Sequence, residues 1–210
     1  SLLPSAVRAV CYNLNRKNEN GRLFELAKVY IADSLPLKAL PAEKERLSLA
    51  VFGDGEDFFT LKGVIETLLE EFCFGKEIEY AVCSRECMHP TRSAEIVCGG
   101  EVIGYFGQLN PALMDELGCE KPVYAAELYY DRLQAFFSDK IVYKPISKYP
   151  SVERDIAVVV DETVPCGVLM SCVKEAGGEF LEKVSLFDVY TGSGVEKGKK
   201  SMAYRLVFVS

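Results

Sequence analysis

Cys83, Cys87, His89 and Cys98 are the side chains best suited by type to do chemistry. The run CSRECMH reads C-x3-C-x-H, with a further cysteine nine residues on. Thiolate and imidazole donors in that number are what a tetrahedral zinc site takes. Alternation along a strand, however, points Cys87 and His89 the same way on a hairpin arm rather than folding them into a knuckle, so no metal site is expected. His89 is the single histidine of the chain, and Cys87, two residues away, makes the one nucleophile–imidazole pair on offer. No carboxylate is placed to orient that imidazole, so the pair is not expected to be catalytic. The simpler expectation is that His89 hydrogen-bonds within its own loop, beside Arg92 and Ser93. Arg92 and Glu95 then mark a solvated or interface face.

Two glycine-bearing turns invite a phosphate reading, GDGED at 53–57 and TGSGVEKGKK at 191–200. Neither has the GxxxxGK[ST] spacing of a P-loop and neither clearly opens a helix, so both read as hairpin turns. The second differs in carrying Lys197, Lys199 and Lys200, three positive charges within four residues. Such a tip either suits phosphates or only solubilises a hairpin.

The elements that must position these residues follow from periodicity. Residues 1–14 place Leu3, Val7, Val10 or Cys11 and Leu14 on one helical face. A polar loop, 13–20, precedes a strand over 23–31, and a proline-bearing loop at 33–42 leads to a strand over 46–52. Leu61, Val64, Ile65, Leu68, Leu69 and Phe72 form one stripe of a helix over 58–73. Short strands follow near 77–83, 93–98 and 101–108. Asn110-Pro111 supplies an N-cap and a first-turn proline for a brief helix, and a strand at 122–129 leads into a helix near 131–137. The segment 138–150, with two prolines, separates two modules, taken as 1–140 and 145–210. In the second, Arg154–Val160 is β-branched, and Pro165 can open a helix carrying Val168, Leu169, Cys172, Val173 and Ala176. Gly177-Gly178 stops that helix. Val184–Tyr190 and Met202–Phe208 alternate as paired strands. Strand, helix, strand, strand is the first two-thirds of a ferredoxin-like fold, and the fold class is α+β.

At 210 residues the chain has room for two modest cores. No apolar run approaches the roughly 20 residues needed to cross a bilayer, and SLLPSAVRAV has no charged leader. The absence of an initiator Met, and a last residue before any second helix and fourth strand, suggest a piece of a longer protein. The net charge is −7, which argues against a broad basic face of the kind that coats DNA. From Pro145 onward there are 8 Lys+Arg against 9 Asp+Glu, leaving 16 against 22 for the first module. A nucleic-acid contact would therefore be local, at Lys197, Lys199, Lys200 and Arg205. Eight scattered cysteines, Cys73 among them between two phenylalanines, read as reduced and mostly buried. With no export signal, that fits a cytoplasmic protein without a membrane partner.

The words KYPSVERDIAVVVDETV, GGEFLEKVSLFDVYTG and VEKGKKSMAYRL resemble the ferredoxin-fold anticodon-binding domain that closes the β subunit of bacterial phenylalanyl-tRNA synthetase. SLLP, RLFELAKVY, FFTLKG, MHPTRSAEI, IGYFGQLNP and YAAELYYDRL resemble, in order, the class II synthetase-like core of the same family, so the resemblance spans nearly the whole chain. It implies a mostly antiparallel sheet with flanking helices, followed by an incomplete ferredoxin-like module. It further implies a catalytic α subunit as partner in an assembly of two α and two β chains, tRNA for phenylalanine as ligand, and ATP and Mg2+ for the holoenzyme but no cofactor in this stretch. An RNA recognition motif is disfavoured, because Tyr204 and Phe208 alternate in step with Leu206 and so face the helix.

The residues allow a check on catalysis. A class II site needs an arginine after the motif 2 strand to meet the α-phosphate of ATP, as charge develops there. The similar strand here ends in Ile31. A glycine-rich motif 3 strand lets adenine lie flat, yet Glu127 and Tyr129 occupy the corresponding places. Arg132, near the motif 3 arginine, reads as a surface residue opening a short helix. No catalytic residue is therefore expected. Class II cores pair through the first helix and motif 2 strand, which puts Leu3, Val7, Phe24 and Tyr30 at the α-subunit interface. Lys148 and Arg154, at the entry to the second module, join the four hairpin and strand cations as RNA-binding candidates. The alternatives are a single-chain synthetase with its own active site, which Ile31 and the missing glycines argue against, and a paralogous binding module without tRNA.

Overall fold

The computed structural model describes residues 1–72, 77–137, 143 and 147–209. Its contacts divide the chain into two units, Ser1–Lys140 and Ile141–Ser210. Cys73 and most of the expected linker 138–150 lie outside the described residues.

The first unit runs α1 (Leu3–Asn15), β1 (Gly21–Ile31), β2 (Ala42–Phe52), α2 (Phe58–Phe72), β3 (Ile78–Val82), β4 (Met88–Cys98), β5 (Glu101–Leu109), α3 (Pro111–Glu116), β6 (Val123–Tyr129) and α4 (Tyr130–Phe136). Its strands form one six-stranded sheet in the order β1-β2-β6-β5-β4-β3, with every neighbouring pair antiparallel. Alternation splits the side chains between two cores, as a two-faced sheet requires. On one face Leu3, Ala6, Val7 and Val10 of α1 pack on Ala50, Phe52, Tyr105, Val123 and Ala125. On the other, Leu61, Ile65 and Leu69 of α2 and Leu133 of α4 pack on Val51, Ile96, Phe106, Ala126 and Leu128.

Among the boundaries that differ from the periodicity reading are three in the first unit. Helix α1 continues through Asn15, into the stretch expected as loop. β2 begins four residues early, because the charged segment Ala42–Glu45 stays paired with the end of β1, Ala42 opposite Ile31. β4 begins at Met88, with a register shift between Met88 and Ser93. That irregular stretch contains Pro90, which has no N–H to give a ladder.

The second unit is β7 (Val152–Asp161), α5 (Cys166–Ala176), β8 (Leu181–Tyr190) and β9 (Lys199–Phe208). β9 lies between β7 and β8 and is antiparallel to both, so α5 is the crossover joining two parallel strands around a third. This is the expected β-α-β-β unit. Leu169, Met170 and Val173 of α5 pack on Val184, Met202, Tyr204 and Leu206. Val168 and Cys172, expected in the same stripe, lie on the exposed shoulder of the helix.

Candidate functional site

The register of the first sheet places Glu25, Ser48, Glu127, Tyr105 and Glu95 in one row across five strands, on the face that α1 covers. The side chains of this row are packed and bonded within the chain itself. Glu127 is 4% exposed. Its Oε2 accepts the Leu2 N–H at 2.8 Å and the Ser1 hydroxyl. Burial, and then the Glu127 charge, hold the Tyr105 phenol above its ordinary pKa, so it stays neutral. Tyr129 is likewise engaged: Arg46 lies over its ring at 4.4 Å, and its hydroxyl accepts from Arg85 at 2.9 Å. Arg85 also reaches Glu95 at 3.2 Å and stacks on Tyr105 at 4.0 Å. Arg46, itself buried, is tied to Asp131 at 2.6 Å.

Glu127, Tyr129, Arg46 and Arg85 are thus all engaged by the chain's own groups. Ile31 ends β1 half-exposed. Arg132 lies on the surface of α4, donates to the Val102 carbonyl and stacks over Tyr129 at 5.0 Å, a tether rather than a phosphate ligand.

The cysteines and histidine do not converge. Cys83 and Cys87 belong to the α1-side core, Cys98 to the α2-side core, so the sheet lies between them. His89 Nδ1 accepts the Thr91 N–H at 3.1 Å, and Ser93 Oγ donates to the His89 carbonyl at 2.7 Å, a self-contained loop. Burial pushes the Cys87 thiol up, the reverse of what an activated nucleophile needs. Burial and a hydrogen bond with Cys11 push the Cys119 thiol up to about 11.

The expected interface residues separate into two pairs. Leu3 and Val7 are buried in their own core, because α1 lays its apolar stripe on the sheet. The assignment of these two to an exposed surface is corrected. Phe24 and Tyr30 remain 78% and 66% exposed, on the outer face of β1 beyond the reach of α2. The structure adds Leu26 on the same face and Leu35, Leu37 and Leu40 on the β1–β2 loop, all exposed. The sequence signal for the loop was present, three leucines in a segment too short to bury them.

In the second unit the six cations do not share one surface. Arg205 points to the open face of the sheet, and so does Lys199 by alternation. Arg154, opposite Leu206, and Lys200, opposite Val160, lie on the α5 side. Arg205 is already engaged: Nε and one terminal nitrogen donate to the two Asp155 oxygens at 2.9 Å each, and Glu153 is 3.6 Å away. That bidentate pair holds the Asp155 carboxyl below its usual pKa. Lys199 meets Glu196 at 2.6 Å. Lys148 and Lys197 are exposed.

No helix is long and apolar enough to cross a membrane among the described residues. A six-stranded antiparallel sheet flanked by helices, followed by a β-α-β-β module, defines an α+β protein of two parts. The family described as phenylalanyl tRNA synthetase beta chain CLM domain matches residues 1–130, and the ferredoxin-fold anticodon binding domain matches residues 147–210. The chain belongs to the phenylalanyl-tRNA synthetase β chain family. Phenylalanine–tRNA ligase β subunits similar to it include that of Bacillus subtilis (strain 168), 41% identical over 100% of this chain. Those of Geobacillus kaustophilus (strain HTA426) and Shouchella clausii (strain KSM-K16) are 42% and 39% identical over 98% and 99% of it. The chain spans 27% of the length of each of these relatives.

Proposed function

We propose that this chain is a non-catalytic part of the β subunit of a cytoplasmic phenylalanine–tRNA ligase. Residues 1–140 scaffold the catalytic α subunit in an assembly of two α and two β chains, and residues 145–210 hold the anticodon stem-loop of tRNA for phenylalanine. The observation that carries the first half is Glu127. A buried carboxylate bonded to the chain's own backbone occupies a position that, by likeness to class II cores, a motif 3 glycine would hold, which supports ATP and Mg2+ being bound by another chain. The exposed strip Phe24, Leu26 and Tyr30, interrupted by the Lys28–Glu43 pair, supports a protein partner, because large apolar side chains grouped on a sheet face are what association buries.

Two measurements test the reading. Phenylalanine-dependent pyrophosphate exchange is expected to be absent for this chain alone, and turnover by it would overturn the scaffold role. In the holoenzyme, Lys197→Ala with Lys200→Ala is expected to raise the KM for tRNA and flatten its salt dependence by about one phosphate per lysine. Pyrophosphate exchange should be unchanged. An unaltered KM at every salt concentration would remove the hairpin from the RNA surface.

A further inference from the structure

A cavity of about 360 Å³ opens where the start of α2 meets the irregular stretch of β4. It lies on the α2 side of the first sheet, so the sheet separates it from the Glu127 row. Phe58, Phe59 and Tyr124 line it with three aromatic rings. Phe58 is fixed by stacking on the buried Phe106 at 5.0 Å, and Phe59, 73% exposed, stands edge-on to it at 5.4 Å. Two opposite charges share this aromatic space without meeting. Arg92 pairs with no carboxylate among the described residues, and its guanidinium donates from Nη1 to the buried Gln108 side chain at 3.0 Å. Asp57 accepts the Thr60 N–H and hydroxyl at 2.7 and 2.9 Å, both through Oδ1. Those bonds hold its carboxyl below the usual pKa, so it stays charged. We infer that this cavity binds a free aromatic α-amino acid, its carboxylate on Arg92, its ammonium on Asp57 and its ring among Phe58, Phe59 and Tyr124.

The lining selects that occupant. A volume of this size, mostly aromatic with a few convergent polar groups, is that of a small-molecule site. One cation and one anion make the cavity neutral, so a phosphate or nucleotide would bring its charge against Asp57 with a single arginine to offset it. A simple acid would leave Asp57 unmet, and a simple amine would leave Arg92 unmet, each a cost once the ligand displaces water. A zwitterion meets both. Within a polypeptide the α-amino and α-carboxylate groups are spent in amide bonds, so a docked protein segment does not offer that pair of charges. The rings then ask for an aromatic side chain, because offset and edge-on ring pairs add to the area buried. An amino acid so held would bridge α2 to β4. The site does not depend on the scaffold or RNA roles proposed above.

The test photolabels the holoenzyme with p-azido-L-phenylalanine and locates the label by mass spectrometry of its peptides. Label is expected at residues 57–59, 91–93 or 124, and L-phenylalanine should displace it. Phenylacetate and phenethylamine, each lacking one charged group, should compete on the order of 10- to 100-fold less tightly, the worth of one charge-assisted hydrogen bond. Arg92→Gln and Asp57→Asn should each weaken labelling of these peptides on that scale. Asp57→Asn keeps an oxygen for the Thr60 N–H, so an unchanged thermal midpoint separates lost binding from lost structure. Arg92→Lys keeps the charge and should retain part of the labelling. Label confined to other peptides, or undiminished in Arg92→Gln, would overturn the inference. Phenylacetate competing as well as phenylalanine would overturn the zwitterion by removing the ammonium contact. Labelling of the free β chain that the α subunit abolishes would overturn it in favour of a protein interface. A labelled peptide is read rather than charging activity, so the site stands or falls separately from the scaffold and RNA roles.

Discussion

Glu127 on β6 accepts the backbone N–H of Leu2 at 2.8 Å, joining the entry of α1 to the middle of the sheet. The two residues are 125 positions apart in sequence, and the bond is buried. It satisfies a donor just ahead of a helix whose N-cap, Leu2, has no side chain to do so. Glu127→Ala should therefore lower stability by about 1–3 kcal/mol, since a buried donor is left unpaired. Glu127→Gln keeps an acceptor and should cost less. Urea unfolding of the two variants checks the order, and an Ala variant as stable as the Gln variant would mean the bond carries nothing.

The corrected interface gives a second expectation. Leu3 is 5% exposed and Phe24 is 78% exposed, so the two should respond oppositely to truncation. Leu3→Ala opens a cavity under α1 and should cost about 2–4 kcal/mol of folding stability. Phe24→Ser should leave the thermal midpoint nearly unchanged and weaken association with the α subunit, read by sedimentation of the mixed subunits. A destabilised Phe24→Ser variant with intact association would reverse the assignment.

Gly107 marks a place where backbone meets backbone. A Cβ there would lie 2.4 Å from the Arg92 carbonyl oxygen and 2.5 Å from Ser93 Cα, at a φ of +152°. Neither neighbour is a flexible tip, and this is where β4 and β5 pair beside the irregular Met88–Ser93 stretch. Gly107→Ala should cost on the order of 2–4 kcal/mol, whereas Gly100→Ala, with nothing near its Cβ, should cost less. Chemical denaturation of the pair measures the difference.

Much of this architecture was legible because both elementary periods are clean. The Leu61/Ile65/Leu69 stripe and the alternation of Tyr204 and Leu206 each predicted a buried face, and those side chains are buried. The stripe Leu3, Val7, Val10 gave the same message for α1. The expectation that Leu3 and Val7 face a partner came from family likeness and ran against that stripe, and the stripe decided. Partners across the sheet were not legible. Alternation put Arg205 on the open face, but only the β7–β9 register sets Asp155 opposite it. The row from Glu25 to Glu95 likewise depends on strand order, which places β6 between β2 and β5. The bulge between Leu186 and Asp188, which presents Phe187 outward, left no mark in the hydrophobic pattern, since an extra residue in a strand only shifts the phase.

The Arg205–Asp155 pair gives the last expectation, a dependence on pH. The guanidinium hydrogen bonds, and then its charge, depress the Asp155 pKa in the folded module, while Arg205 stays protonated throughout. A carboxyl with a folded pKa below its unfolded value binds fewer protons folded than unfolded, so its contribution to stability grows with pH. That contribution is complete above the unfolded value of about 3.9 and disappears as pH falls through the lower folded value. Both side chains are solvent-exposed, so screening keeps the effect small and sensitive to salt. Carboxyl NMR titration of the protein should place the Asp155 midpoint below that of a free aspartate, and Arg205→Gln should return it towards the ordinary value. Asp155→Asn should lose the pH-dependent increment and also free the guanidinium from its place over the Phe187 ring. A midpoint at the ordinary aspartate value would show that Asp155 does not hold Arg205 in solution.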